Sequence, residues 1–334
     1  MRKFTFRNFW KVLRQTGQGF GKDKVLKLSA SLAFYTVFSL GPMMIVIIFL
    51  ADLFWGREAV EGRIFMQVRN LIGSRAALQI QEIMKNASLT GGNVFTAAVG
   101  FIALLIGATT IFSEIQDTIN TIWRLQVKFR KGLAQWLLSR LLSFSLVVGL
   151  GFLLLVSLVI NALVEGFMDQ LREHFPHTAI MLFYAVNLAL TFIIIWFLFA
   201  IIYKVLPDAI IRWKDVAAGA FFTTFMFMLG KFVISFYIGR ANIGSAYGTA
   251  GSLVVLLLWI YYSAIILYLG AEFTKFYALQ FGTEIRPSSY AVTYQLIHAE
   301  SGKSTIQENE EDEERLRKAL QQEKNGRGNN RNPG

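Results

Sequence analysis

The 334-residue sequence contains no cysteine, which removes disulfide staples, thiol nucleophiles and zinc-thiolate centres from consideration. Histidine occurs three times, at His174, His177 and His298. His174 and His177 share a short loop with no third ligand nearby, so no metal site is expected. Walker loops, dinucleotide fingerprints and serine nucleophile elbows are also missing. No catalytic residues, cofactor or built-in energy source are therefore expected. Charge is scarce too: 16% of residues are Asp, Glu, Lys or Arg and 54% are hydrophobic, against roughly 25% charged in an ordinary soluble domain.

What is present in place of charge is long apolar blocks. A helix needs about 20 mainly apolar residues to cross a bilayer. Six blocks of that length occur, at about 29–55, 94–113, 137–164, 179–205, 216–238 and 249–277. They are rich in Leu, Ile, Phe and Ala and do not alternate as barrel strands do. The expected fold is an all-α integral membrane protein with six transmembrane helices spanning residues 29–282. The first block is too long for a signal-peptide core and lacks a small-residue cleavage pattern, so it reads as a retained helix.

Basic residues orient the spans, because Lys and Arg in short loops mark the cytoplasmic side. Residues 1–28 hold eight, 113–140 five, 204–215 three, and the segment from Lys275 onward nine. The alternate loops hold five between Arg57 and Lys85, then Arg172 alone and Arg240 alone. Both termini are expected in the cytoplasm of a bacterial cell, in its inner membrane. The net charge of +11 then faces anionic lipid headgroups. Nucleic acid is not expected as a partner, since no soluble module with a recognition motif is present.

Residues 4–20 mix Phe4, Phe6, Phe9, Trp10 and Phe20 with basic side chains, the composition of an amphipathic helix lying in the inner interface. The outer loop 56–93 repeats apolar residues at helical spacing and is expected to form amphipathic helices between the first two spans. Residues 283–334 form a cytoplasmic tail, turning to Glu, Gln, Lys, Asn and Gly from Ser301 and disordered toward its end.

Ionisable and polar groups inside spans are costly and therefore informative. Lys231 lies 15 residues into the fifth block, about 22 Å along its axis at about 1.5 Å per residue. At similar depth are Asn161, near the outer end of the third block, and Asp52, near the outer end of the first. Two readings stand: Lys231 lines a cavity with one of these, or it snorkels or makes a structural ion pair. Glu114, Asp117 and Asn120 are three apart on one helical face at the inner end of the second block. Glu272 ends the sixth block on the same side, with Arg124, Arg140 and Lys27 near in depth. An inner ring of opposite charges can clamp helices statically, or open as a gate. Gly41 and Pro42 interrupt the first block, where proline removes a helical hydrogen bond, and are candidates for a kink that is either a hinge or static packing. The run Gly244–Ser252, with Gly248 and Gly251, permits close helix contact or exposed backbone along a substrate path.

Four segments carry a resemblance: Ala30-Ser-Leu-Ala-Phe-Tyr-Thr36 with Ser39-Leu-Gly-Pro42; Asn120-Thr-Ile-Trp123; Tyr247-Gly-Thr-Ala-Gly-Ser-Leu253 with Leu258-Trp-Ile-Tyr-Tyr262; and Gly270-Ala-Glu272. In order and spacing they resemble the YihY/virulence factor BrkB family over about residues 15–282. That resemblance implies a six-helix inner-membrane protein and a transporter of lipids or other amphipathic molecules. Some relatives carry the label ribonuclease BN, which the absence of a nuclease domain and of a His/Asp metal cluster makes a misassignment. The expectation is a transporter or exporter of amphipathic envelope molecules. The alternative is a non-transporting scaffold in envelope integrity, working through its tail and outer loop.

Overall fold

The structure, a computed structural model, describes residues 5–54, 78, 81, 94–127, 176–240, 251–282, 284–294 and 315. It divides into two units, Met1–Thr293 and Tyr294–Gly334; in the second, only Tyr294 and Arg315 are described. The first unit is mostly helical: α1 Phe6–Lys22, α2 Val25–Phe54, α3 Val94–Ile122, α4 Pro176–Val205, α5 Trp213–Arg240 and α6 Gly251–Phe281. Among the described residues three stretches are long and apolar enough to cross a membrane: Ala185–Val205, Trp213–Ile234 and Leu253–Phe281.

Helix boundaries follow local chemistry. Thr5 precedes α1 in an extended conformation. In α1, Val12, Thr16 and Gly19 are buried, a stripe at helical spacing that faces protein, while Phe6 and Trp10 are exposed. The helix stops where Lys24 turns left-handed, with φ 51°. Proline is the first residue of α4, the position where its missing N–H costs nothing. Asp215 sits in the first turn of α5, where the helix dipole favours negative charge.

Helices α2, α4, α5 and α6 correspond to the first, fourth, fifth and sixth apolar blocks. Several boundaries differ from the blocks. α2 starts at Val25 and runs through Gly41 and Pro42 without ending. α3 continues past Ser113 to Ile122, because its polar end finds partners in neighbouring loops. The third block, 137–164, the outer loop beyond Leu78 and Gln81, Asn161 and Gly248 lie outside the described residues.

The helices neighbour one another in the order α3, α2, α6, α5, α4, with α1 along α6. That makes α6 the central element. It meets α5 through small residues: a side chain at Gly219 would strike Thr274, one at Gly230 would strike Tyr262, and one at Gly270 would strike Thr223 and Tyr203. Such contacts let backbones approach where lipid supplies no hydrophobic drive for association. Two polar side chains bond across these helices. The Tyr203 hydroxyl donates to the Leu267 carbonyl at 2.6 Å and lies 3.1 Å from the Thr223 hydroxyl; Trp196 Nε1 donates to the Ala217 carbonyl at 2.9 Å.

Two short antiparallel ribbons close one end. β1, Leu125–Val127, pairs with β4, Ala291–Thr293. β2, Ala209–Ile210, pairs with β3, Arg286–Pro287. The chain after α6 is thereby stitched to the end of α3 and to the α4–α5 connection.

Candidate functional site: two polar clusters at one end of the bundle

The first cluster joins three segments. Asp23 ends α1, its backbone N–H donating to the Gly19 carbonyl at 2.8 Å, and this turn points its carboxylate at Arg124, just past α3. Arg124 Nη2 donates to Asp23 Oδ1 at 2.5 Å. Arg124 itself is left-handed, with φ 58°, so the turn that ends α3 is bent to deliver the guanidinium. From α6, Lys275 Nζ donates to the Ile122 carbonyl at 2.6 Å, lies 3.9 Å from Asp23 Oδ2 and 3.7 Å from Glu272 Oε2. Trp123 Nε1 donates to the Ala271 carbonyl at 3.0 Å, fixing α3 against α6 beside these charges.

Glu272 is fully buried, and neither of its oxygens has a hydrogen-bond donor. Helix α1 passes directly over it: a Cβ on Gly19 would stand 2.6 Å from Glu272 Oε2. The Asp23 side chain is 3% exposed, and its Oδ2 also lacks a donor. Two carboxylates and two cations are thus packed beneath α1, balanced in charge but incompletely hydrogen-bonded.

The second cluster centres on Asp208, in the α4–α5 connection and 4% exposed. It accepts from Asn120 Nδ2 at 2.6 Å, from Gln116 Nε2 at 3.0 and 3.1 Å, and from the Tyr290 hydroxyl at 3.0 Å. Its backbone N–H donates to Asn120 Oδ1 at 2.9 Å, so Asn120 and Asp208 pair at two points. Its carbonyl accepts from the Ser288 N–H at 3.0 Å. Burial and then the Asp208 charge raise the Tyr290 phenol above its usual range, which keeps it a donor.

The structure separates the polar residues marked in the sequence. Asn120 and Glu272 are buried, one in each cluster. Glu114 is half-buried, and Asp117 lies at the exposed rim. Partial burial, then the charges of Glu114 and Asp208, hold the Asp117 carboxyl above the usual carboxylate range. Arg124 joins Glu272 through Asp23, whereas Lys27 is exposed and Arg140 lies outside the described residues. Lys231 is half-buried on α5. Its pairing with Asn161 or Asp52 falls outside what is described, since Asn161 lies beyond the described residues and only the backbone of Asp52 is described, within α2. Gly251 opens α6 and is buried. Sequence reasoning missed Asp23, Asp208, Gln116, Lys275 and Tyr290. The available signal was that Asp23 and Asp208 are carboxylates within predicted inner segments dominated by Lys and Arg. Among the described residues, no three His, Cys, Asp or Glu side chains are placed to share a metal ion.

Comparison with known proteins agrees with the membrane fold. A UPF0761 membrane protein of Verminephrobacter eiseniae is 29% identical over 295 residues, covering 86% of this chain and 67% of its own length. One from Haemophilus influenzae is 24% identical over 266 residues, covering 79% of this chain and 91% of its own length. One from Ralstonia nicotianae is 28% identical over 258 residues, of which this chain spans 55% of the full length. No solved structure matches. With helices of spanning length packed around α6, and a family model described as virulence factor BrkB matching residues 16–292, the chain belongs to the virulence factor BrkB family of multi-pass membrane proteins.

Proposed function

We propose that this protein is a six-span transporter or exporter of the bacterial cytoplasmic membrane, moving lipids or other amphipathic envelope molecules, with both termini in the cytoplasm. The observation that carries the reading is Glu272: a fully buried carboxylate at the inner end of the central helix, held by charge more than by hydrogen bonds. Breaking a buried pair is costly, yet apolar packing in its place is often as stable or more so. A static clamp therefore has little use for such a cluster, whereas a gate that must part and re-form has. In this reading Asp23, Arg124, Lys275 and Glu272 close the inner side, and their separation opens a path past α6. The protein performs no covalent chemistry and takes no cofactor.

The six-span topology is supported by parity. The start of α2 and the ends of α3 and α6 meet at the first cluster, and the α4–α5 connection meets α3 at the second. A six-span chain changes faces between Val127 and Pro176, and block 137–164 is the apolar stretch of that length in the sequence there. The clustered ends are also those richest in Lys and Arg, which supports a cytoplasmic assignment.

The test is flux of fluorescent lipid analogues across proteoliposomes containing the purified protein, with Glu272→Gln and Lys231→Met alongside. Flux that needs Glu272 while the variant stays folded supports the gate. Absence of flux over a range of lipids and both orientations would overturn transport in favour of a scaffold.

A further inference from the structure

The first cluster leaves three buried carboxylate oxygens, Asp23 Oδ2 and both oxygens of Glu272, without a donor. The nearby cations do not remedy this. Arg124 Nη2 is directed at Asp23 Oδ1, and Lys275 donates to the Ile122 carbonyl, leaving its Nζ 3.7 Å from Glu272. Both carboxyl groups flank one ammonium: Lys275 Nζ lies 3.9 Å from Asp23 Oδ2 and 3.7 Å from Glu272 Oε2. An ionised carboxylate can only accept hydrogen bonds, so a fully buried one with no donor aimed at either oxygen, as at Glu272, is a place for a proton. Adjacent carboxyls in one desolvated site favour such a proton, because their like charges oppose full ionisation. Among the described residues, the ionisable groups facing Glu272 are Asp23 at the end of α1, Arg124 at the end of α3 and Lys275 on α6 itself.

We infer that Glu272 binds a proton beside Asp23, and that this proton is the coupling ion of the transport proposed above, on which the coupling half of the inference rests. With both carboxylates ionised, the cluster is neutral with Arg124 and Lys275. With the proton bound, it carries one excess positive charge and the attraction of Lys275 for Glu272 is lost. The cover is as tight as the site: the Gly19 backbone and the Phe276 ring occupy the space above the carboxylate. Exchange of the proton with water therefore requires α1 to lift from α6. Proton exchange and opening of the inner side become one event.

The experiment has two arms on the full-length protein in lipid. Infrared difference spectra across a pH titration read the carbonyl stretch of a buried protonated carboxyl. The band is expected in the wild type, lost in Glu272→Gln, and displaced in its titration midpoint in Asp23→Asn. No such band, or a band indifferent to both substitutions, overturns the proton site. Where Glu272→Gln does not fold, the displaced midpoint of Asp23→Asn decides. The second arm measures lipid-analogue flux with and without an imposed pH gradient, where one proton per cycle gives up to about tenfold bias per pH unit, tenfold being about 1.4 kcal/mol. Flux indifferent to the gradient overturns the coupling. The band without flux under any gradient overturns transport while the proton site stands.

Discussion

Replacing Asp208 by alanine should unfasten the ribboned end of the bundle, and the cost can be worked from its partners. A hydrogen bond to a charged group is worth about 1.5–3 kcal/mol net, and a buried donor left without a partner costs about 1–3 kcal/mol. Asn120 is 5% exposed, so its amide loses the carboxylate with no water to replace it, for about 3 kcal/mol. Gln116 and Tyr290 are only partly buried and can turn to water, adding under about 1 kcal/mol together. The total, about 4 kcal/mol, is a large share of the about 5–15 kcal/mol that holds a typical domain folded. Asp208→Asn keeps the shape but offers an amide N–H where a donor already points, and should cost about half as much. Thermal unfolding in detergent followed by tryptophan fluorescence should place alanine below asparagine and both below wild type, with the alanine shift on the order of 10 °C. Limited proteolysis should show new cutting between Phe281 and Tyr294. A stability for Asp208→Ala within about 0.5 kcal/mol of wild type, the range of a neutral surface change, with no new cutting, would refute the fastening role.

Two further outcomes are expected. Gly270→Ala drives a methyl group into Thr223 and Tyr203, displacing the hydroxyls that tie α4, α5 and α6, and should destabilise by about 2–4 kcal/mol, overpacking plus one lost hydrogen bond, measured by the same unfolding assay. Asp117→Asn should stabilise the protein at neutral pH: a carboxyl whose folded value is raised opposes folding when ionised. That gain should be complete above the raised value and vanish below about pH 4, where the unfolded side chain is also protonated, as a Tm series across pH would show.

Long apolar blocks made the helices legible, because spanning a bilayer imposes a length that no soluble core requires. Charge asymmetry likewise marked the start of α2 and the ends of α3, α4 and α6 as one face before any contact was known. Glu272 stood out because a carboxylate at the end of an apolar run is conspicuous. Its neighbours did not, since Asp23 and Asp208 lie in polar turns where a carboxylate is ordinary. Their burial comes from ribbons and from α1 folding over them, which are contacts between residues far apart in sequence. The even spacing of Glu114, Asp117 and Asn120 promised one shared role. The structure divides them, because only Asn120 lies deep enough to reach Asp208, while Asp117 remains at the rim.

The ribbons also set an order of assembly. Asp208 is synthesised with the α4–α5 connection, but Tyr290, which completes its shell, follows 82 residues later. β4, the partner of β1, arrives later still. Chains emerge from the ribosome at about 5–20 residues per second, so the helices can enter the membrane while the ribboned end is still open. Closing that end waits for the residues after α6, and a nascent protein halted between Phe281 and Tyr290 would carry α1 through α6 with Asp208 still lacking its last partner.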